Sequence, residues 1–254
     1  MGTALVTGGT SGIGAAFARA LAARGHDLVL VARDEARLEE TAAELRATGR
    51  HVEVLSADLS VRADVDRVAA RIEDPSRPVD LLVNNAGFGV HWKLTASDVE
   101  VHDRAMEVMV RAVLVLGGAA GRAMRERGHG AIVNVSSTAG FITMGAYSAI
   151  KAWVTSYTEG LSNELHGTGV TVTALCPGWV RTEFHQRAGI RSSSIPESLW
   201  LDADALVATS LRDVDRGRVI SMPSIRYRVL IWFTRHLPRT TVRWISRRIS
   251  SSRA

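Results

Sequence analysis

Tyr147 and Lys151 close the run SSTAGFITMGAYSAIK, residues 136–151. Of the 31 basic residues in the chain only two are lysines, Lys93 and Lys151, so this lysine stands out against a background of arginine. On a helix, side chains at i and i+4 share one face. A phenol with a pKa near ~10 is a poor base at neutral pH. An ammonium ~4–5 Å away, at an effective dielectric of ~20, favours the phenolate by about 3–4 kcal/mol, or roughly 2–3 pKa units. The pair is therefore expected to bring Tyr147 into the range of general acid–base work. A second stretch with chemical capacity lies at the start: Thr7-Gly8-Gly9-Thr10-Ser11-Gly12-Ile13-Gly14, between a short apolar run and a helical pattern. Glycines there permit a tight turn and close approach of the backbone to a pyrophosphate, and the helix start offers free N–H groups.

The elements that must hold these groups alternate regularly. Apolar runs at 3–7, 27–32, 51–56, 79–83, 131–136, 170–176 and 217–221 read as strands. Between them, 15–23, 35–47, 61–73, 97–127 (with a break) and 146–166 have helical spacing. Such alternation suits right-handed crossovers, and wholly apolar strands suit a parallel sheet covered on both faces. The expected architecture is an α/β doubly wound parallel sheet of about seven strands with a basic helical C-terminal tail. Residues 1–221 form the expected main domain, and 222–254 an amphipathic extension packed on or beside it.

Composition limits the function further. The chain has 254 residues, 46% of them hydrophobic, enough for one sizeable core. Its single cysteine, Cys176, excludes an internal disulfide, and a reducing cytoplasm is the simplest setting. Neither a signal peptide nor a membrane-spanning helix is expected. Residues 216–254 carry ten arginines and no acid, leaving the first 215 with 21 basic and 26 acidic side chains. A mildly acidic body argues against nucleic-acid binding; the asymmetry marks the tail as special.

Five segments in order carry a resemblance: the T-G-x-x-x-G-I-G loop; Asp58-Leu59 after the third strand; Asn84-Asn85-Ala86-Gly87 after the fourth; Ser136-Ser137 ahead of Tyr147-x-x-x-Lys151; and Pro177-Gly178 with Thr182 after the sixth. Together they resemble the short-chain dehydrogenase/reductase family over roughly residues 3–221. The resemblance implies a three-layer Rossmann-type fold and an oxidoreductase that interconverts a ketone or 3-oxoacyl group and a secondary alcohol, with no metal. It places Gly8, Ser11, Gly12, Ile13 and Gly14 on the cofactor phosphates and Asp58-Leu59 against the adenine. Asn85, Ala86, Gly87, Pro177, Gly178, Val180 and Thr182 also fall on its cofactor site. Tyr147 and Lys151 are its acid–base pair and also touch cofactor, the lysine at the nicotinamide ribose. Ser137, with Ser136 as alternate, is the serine that binds the substrate carbonyl.

Cofactor choice is read from the second strand end, Val31-Ala32-Arg33-Asp34. An NAD site needs a carboxylate for the ribose 2′-hydroxyl, and Ala32 cannot supply one. Arg33 could hold a 2′-phosphate, so NADP(H) is preferred and NAD(H) is the second candidate. The competing role for Arg33 is an ion pair with Asp34 or Glu35.

Two departures from the family pattern stand out. The interval from Ser137 to Tyr147 is a few residues short, which would reshape one wall of the substrate pocket. Met109 stands where the family usually has an asparagine that supports a proton relay, and a thioether is only a weak acceptor. These departures keep open a second reading: a catalytically weak nucleotide-binding or membrane-associated scaffold. The lid is expected at about 183–201, with Arg187, Arg191 and Trp200. Trp92, Trp179 and the tail aromatics lean the substrate towards a hydrophobic, lipid-like carbonyl compound. In 225–254, Trp232, Trp244 and apolar positions 242, 245 and 249 alternate with arginines. This suits either peripheral contact with the inner face of the membrane or packing on the protein itself. A homodimer or homotetramer is expected from the resemblance.

Overall fold

The computed structural model describes residues 2–90, 92–183, 196–238 and 240–244. Strands β1 (Thr3–Thr7), β2 (Asp27–Ala32), β3 (Val52–Ser56), β4 (Leu81–Asn84), β5 (Gly130–Val135), β6 (Val170–Leu175) and β9 (Ile220–Ser221) form one sheet. Its order is β3-β2-β1-β4-β5-β6-β9, and every pairing is parallel. A two-stranded parallel ribbon, β7 (Trp179–Val180) with β8 (Trp200–Leu201), stands beyond the end of β6. The order turns back between β1 and β4, which opens a crevice at the carboxyl ends of the strands, the usual ligand position in such sheets.

Both sheet faces are covered, which is why the middles of β1 and β2 are apolar on both sides. On one face, α1 (Gly12–Ala23), α2 (Glu35–Arg46) and α7 (Ala203–Asp215) bury Phe17, Leu21, Leu38, Leu206 and Leu211. On the other, α3 (Arg62–Glu73), α5 (Ala112–Arg127) and α6 (Gly145–Glu164) bury Val65, Ile72, Leu116, Met124 and Leu161. These layers complete the expected three-layer Rossmann-type architecture. A buried ladder fixes the middle: Asn84 Nδ2 donates to Asn134 Oδ1 (2.9 Å), and Asn134 Nδ2 to Thr158 Oγ1 (3.0 Å).

The break expected within 97–127 is present, and the last sheet strand differs from expectation. The helix read at 97–127 is α4 (Glu100–Met106), a π turn over Glu107–Arg111, and then α5. The wide turn carries Met109, which is buried with Val90, Ala105 and Ile150. The last sheet strand is only Ile220–Ser221, because Gly217 at φ +65° still belongs to the turn that ends α7. The tail begins as α8 (Ile225–His236), and residues 240–244 are also helical. Among the described residues no helix is long and apolar enough to cross a membrane.

Candidate active site

The glycine-rich loop joins β1 to α1 at the crevice. Gly8 and Gly12 have φ of +66° and +55°, which L side chains rarely adopt. A Cβ on Gly14 would lie 2.1 Å from the Gly8 carbonyl oxygen, so the loop closes on its own helix only without one. Ser11 occupies the N-cap of α1, and the first turn of that helix has no acidic side chain. The positive end of the dipole is thus left for an anion from outside. The loop is tied to β4. Thr7 Oγ1 donates to the Val83 carbonyl (3.3 Å) and accepts from the Asn85 and Ala86 N–H groups (2.9 and 3.1 Å). Asn85 Nδ2 donates to the Thr7 and Gly8 carbonyls (3.0 and 3.2 Å), so this side chain holds the cradle from below. These features fit a dinucleotide pyrophosphate.

Arg33 is exposed just past the end of β2. Asp34 instead caps α2, accepting from the Arg37 N–H at 3.1 Å. Arg37, which the sequence reading passed over, donates from Nη2 to the Thr10 carbonyl (3.4 Å) and lies 3.7 Å from Glu183. It brings a second guanidinium to the loop. Burial pushes the Asp58 carboxyl up, but Ser60 N–H and hydroxyl, with Arg104 and Arg33, outweigh it and hold the group below its usual range. Leu59 is buried in the core beside Val65 and Leu82. Gly87 faces Met109: a Cβ there would meet the sulfur at 3.0 Å.

Ser137, Tyr147 and Lys151 come together between β5 and α6. Lys151 is 5% exposed; its Nζ donates to the Val135 carbonyl at 2.8 Å and lies 5.6 Å from the centre of the Tyr147 ring. Burial pushes the ammonium down to about 8. Burial likewise pushes the Tyr147 phenol up to about 12, with a hydrogen bond to the Ser137 side chain acting the other way. The expected depression of the tyrosine is therefore reversed. The attraction from Lys151 was taken before solvent losses, and burial is the largest cause acting on the phenol. The two serines separate clearly. Ser136 Oγ donates to the Lys151 carbonyl (2.7 Å) and lies 2.7 Å from Thr155 Oγ1, under α6. Ser137 begins the 3₁₀ turn Thr138–Phe141, accepts from the Ala139 N–H (3.1 Å) and reaches Tyr147.

The short interval before Tyr147 is accommodated by Gly140. A Cβ there would stand 2.8 Å from the Lys151 carbonyl carbon and the Ala152 nitrogen, so the 3₁₀ turn lies directly on α6. Thr138 N–H and Oγ1 both donate to the Pro177 carbonyl (2.9 and 3.2 Å), joining this wall to the next turn. Past Pro177, Gly178 lies against the Tyr227 ring, where a Cβ would approach to 1.9 Å. The Tyr227 hydroxyl accepts from the Trp179 N–H (3.0 Å) and donates to the Leu199 carbonyl (2.8 Å). This tail residue was missed because its partner is 48 positions away; its one local signal is an isolated tyrosine among arginines and aliphatics. Val180 is buried in β7, and Thr182 packs beside Gly12, whose added Cβ would meet it at 3.2 Å. Trp179 and Trp200 have ring centres 6.2 Å apart. The lid residues Arg187 and Arg191, and tail positions 245–254, lie outside the described residues.

Comparison with known proteins agrees with this geometry. The short chain dehydrogenase family model matches residues 2–191. A Streptomyces virginiae protein assigned as the ketoacyl reductase of the monensin polyketide synthase is 43% identical over 194 residues, 72% of each chain. Among solved structures, a short-chain dehydrogenase from Sphingobium yanoikuyae in complex with NADPH has a TM-score of 0.84 at 36% identity, covering 100% of this chain and 93% of that one. The bulky-bulky ketone specific alcohol dehydrogenase of Comamonas testosteroni gives 0.79 at 31%, covering 100% and 92%. With a family match over most of its length, a loop built for a dinucleotide and relatives solved with nicotinamide cofactors, this chain belongs to the short-chain dehydrogenase/reductase family and is an NAD(P)(H)-dependent oxidoreductase that interconverts carbonyl and alcohol groups.

Proposed function

We propose that the enzyme is an NADP(H)-preferring reductase of hydrophobic ketones or 3-oxoacyl groups. The observation that carries this is the meeting of Ser137, Tyr147 and Lys151 between β5 and α6, with Lys151 Nζ 5.6 Å from the centre of the Tyr147 ring and Ser137 hydrogen-bonded to the phenol. Burial pushes the phenol up, so at neutral pH Tyr147 carries its proton. That is the form reduction needs, because the carbonyl oxygen takes up a proton as it becomes an alcohol. When bound, the cofactor supplies the hydride. Ser137 donates to the carbonyl oxygen and orients it; Tyr147 delivers the proton. Lys151 has three N–H donors and Val135 takes one. The others suit the ribose hydroxyls of the nicotinamide end, and the positive charge eases the passage of the proton from Tyr147.

The glycine loop and the start of α1 would hold the pyrophosphate, and Arg33 with Arg37 the 2′-phosphate. Asp58 would meet the adenine, and the Asn85–Gly87 and Pro177–Thr182 segments would flank the nicotinamide end. A substrate of apolar character is supported by Trp179 and Trp200 beside the site, by the similarity to a protein assigned as a ketoacyl reductase, and by the similarity to one specific for bulky ketones. Residues 222–254 serve as an extension that brings the enzyme into peripheral contact with a membrane; Trp232 and Phe233, each more than half exposed on α8, support it. The test is consumption of NADPH and of NADH over a panel of water-soluble ketones, bulky aryl ketones and 3-oxoacyl thioesters. Turnover on the apolar members with NADPH ahead of NADH is expected. NADH preference, or activity confined to small polar ketones, would overturn the proposal.

A further inference from the structure

One region of the molecule takes no part in the chemistry above, yet it concentrates positive charge around a cavity. Where α7 ends and α8 begins, a cavity of about 330 Å³ is lined by Thr209, Arg212, Asp213, Arg216, Arg218 and Arg228, with Met222 and Pro223. Four guanidiniums face one carboxylate. That carboxylate is already engaged, because Asp213 Oδ1 accepts from Arg218 (2.9 Å) and Oδ2 from Ser221 (2.8 Å). The next acid, Asp215, is paired with Arg24, just past the end of α1, at 3.1 Å. No acid follows anywhere in residues 216–254. The carbonyl end of α7 contributes only about half a negative charge and cannot balance the group.

Arg228 also borders a shallow, open apolar depression on the surface of α8, formed with Val229 and Trp232. At 100° per residue, Ile225, Val229, Trp232 and Phe233 fall on one face of α8, flanked by Arg226 on one side and by Arg228 and Arg235 on the other. Ile225 is 69% exposed and Trp232 56% exposed. The opposite face is buried through Tyr227 and Ile231. It rests on the walls of the active site: Tyr227 on Gly178 and Trp179, and the Arg235 guanidinium 5.2 Å from the Phe141 ring.

We propose that this surface binds a membrane rich in anionic phospholipid. The arginine-lined cavity takes a lipid phosphate, and the apolar face of α8 enters the headgroup boundary. The inference rests on the membrane contact proposed above and adds the site that makes it selective for anionic lipid. Charge complementarity and the position of Arg228, between the arginine-lined cavity and the apolar surface of α8, carry it: anionic oxygens pair with guanidiniums while tryptophan and aliphatic side chains take the interface. Because the same helix braces Gly178 and Phe141, docking sets the active-site mouth near the lipid phase, and the substrate class is a carbonyl compound dissolved in the bilayer.

The experiment is co-sedimentation of the full-length protein with vesicles of phosphatidylcholine alone and of phosphatidylcholine mixed with phosphatidylglycerol. Wild type should bind the anionic vesicles and barely the neutral ones. Arg216→Gln/Arg228→Gln should weaken binding to the anionic vesicles by roughly 30-fold, and Trp232→Ser/Phe233→Ser should abolish it. Turnover of a water-soluble ketone should be unchanged in both, which shows that they fold. Equal binding to both vesicle types, unaltered by the arginine changes, would overturn the anion site while leaving membrane contact standing. Binding to neither type would overturn both. Saturable binding of inorganic phosphate without vesicle binding would make the cavity a site for a soluble anion. Self-association lost in the Trp232→Ser/Phe233→Ser variant, without vesicle binding, would make the face a contact between copies. Either of these last results contradicts the proposal.

Discussion

Lys151 Nζ stands 5.6 Å from the centre of the Tyr147 ring and donates a hydrogen bond to the Val135 carbonyl, 2.8 Å away. The lysine is thus fastened to the end of β5 at the point where Ser136 and Ser137 follow. Its ammonium is costly to bury, and its pKa falls to about 8 while that of the tyrosine rises to about 12. At neutral pH the pair is a neutral acid beside a charged ammonium.

A pH dependence follows. Reduction needs Lys151 charged and Tyr147 protonated, so kcat/KM, which reports the free enzyme, should be flat near neutrality and fall above about 8. The stability effect has the opposite sign. The folded pKa of Lys151 lies below its ordinary value of 10.5, so its burial favours folding most at pH above 10.5, and this contribution is lost as pH falls through about 8. Lys151→Met should therefore be at least as stable as wild type at pH 7, by Tm, while losing reductase activity. A fall in both would mean that the Val135 hydrogen bond outweighs the cost of burying the charge.

Arg33 governs cofactor choice on this account. Arg33→Ala removes a charge-assisted contact worth about 1.5–3 kcal/mol, so KM for NADPH should rise roughly 10- to 100-fold while KM for NADH stays put. Steady-state kinetics with each cofactor checks this. An equal rise for both would place Arg33 in general stability instead, and no rise would shift the role to Arg37.

Tyr227→Phe tests whether the tail belongs to the catalytic body. The change strips the Trp179 N–H and the Leu199 carbonyl of their common partner. Leaving buried polar groups unpaired costs about 1–3 kcal/mol. Denaturant unfolding should show a loss of that size, and KM for the cofactor should rise, because the turn from Pro177 to Val180 loses its brace.

Met109→Asn addresses the proton path. Met109 is 1% exposed, and its sulfur crowds Gly87. An asparagine there must find hydrogen-bond partners in a site shared with Val90, Ala105 and Ile150. A stability loss of about 1–3 kcal/mol is expected with little change in kcat. Faster turnover would show that the thioether limits the relay.

Much of this molecule is local, and the local part could be read from the chain. The glycine spacing from Gly8 to Gly14 specifies its own turn, and Tyr147 and Lys151 meet because a helix makes them neighbours. What escaped depended on distance or on burial. Gly140 matters through its contact with the backbone at Lys151, Tyr227 through a hydrogen bond to a residue 48 positions away, and Ser136 differs from Ser137 only in which side of the strand end it faces. The direction of the Tyr147 shift was misjudged because an i, i+4 spacing shows the attractive charge but not the water removed around it.

The most direct measurement is single-turnover reduction of a reactive apolar ketone by NADPH, comparing wild type with Tyr147→Phe, alongside NADPH affinity by fluorescence. Phenylalanine keeps the ring against Met109 and Ile150 and removes only the proton donor. The reduction rate should fall by about 10²–10⁴-fold, with NADPH affinity changed less than about threefold. A variant that binds NADPH normally and still reduces the ketone at close to the wild-type rate would contradict Tyr147 as the acid.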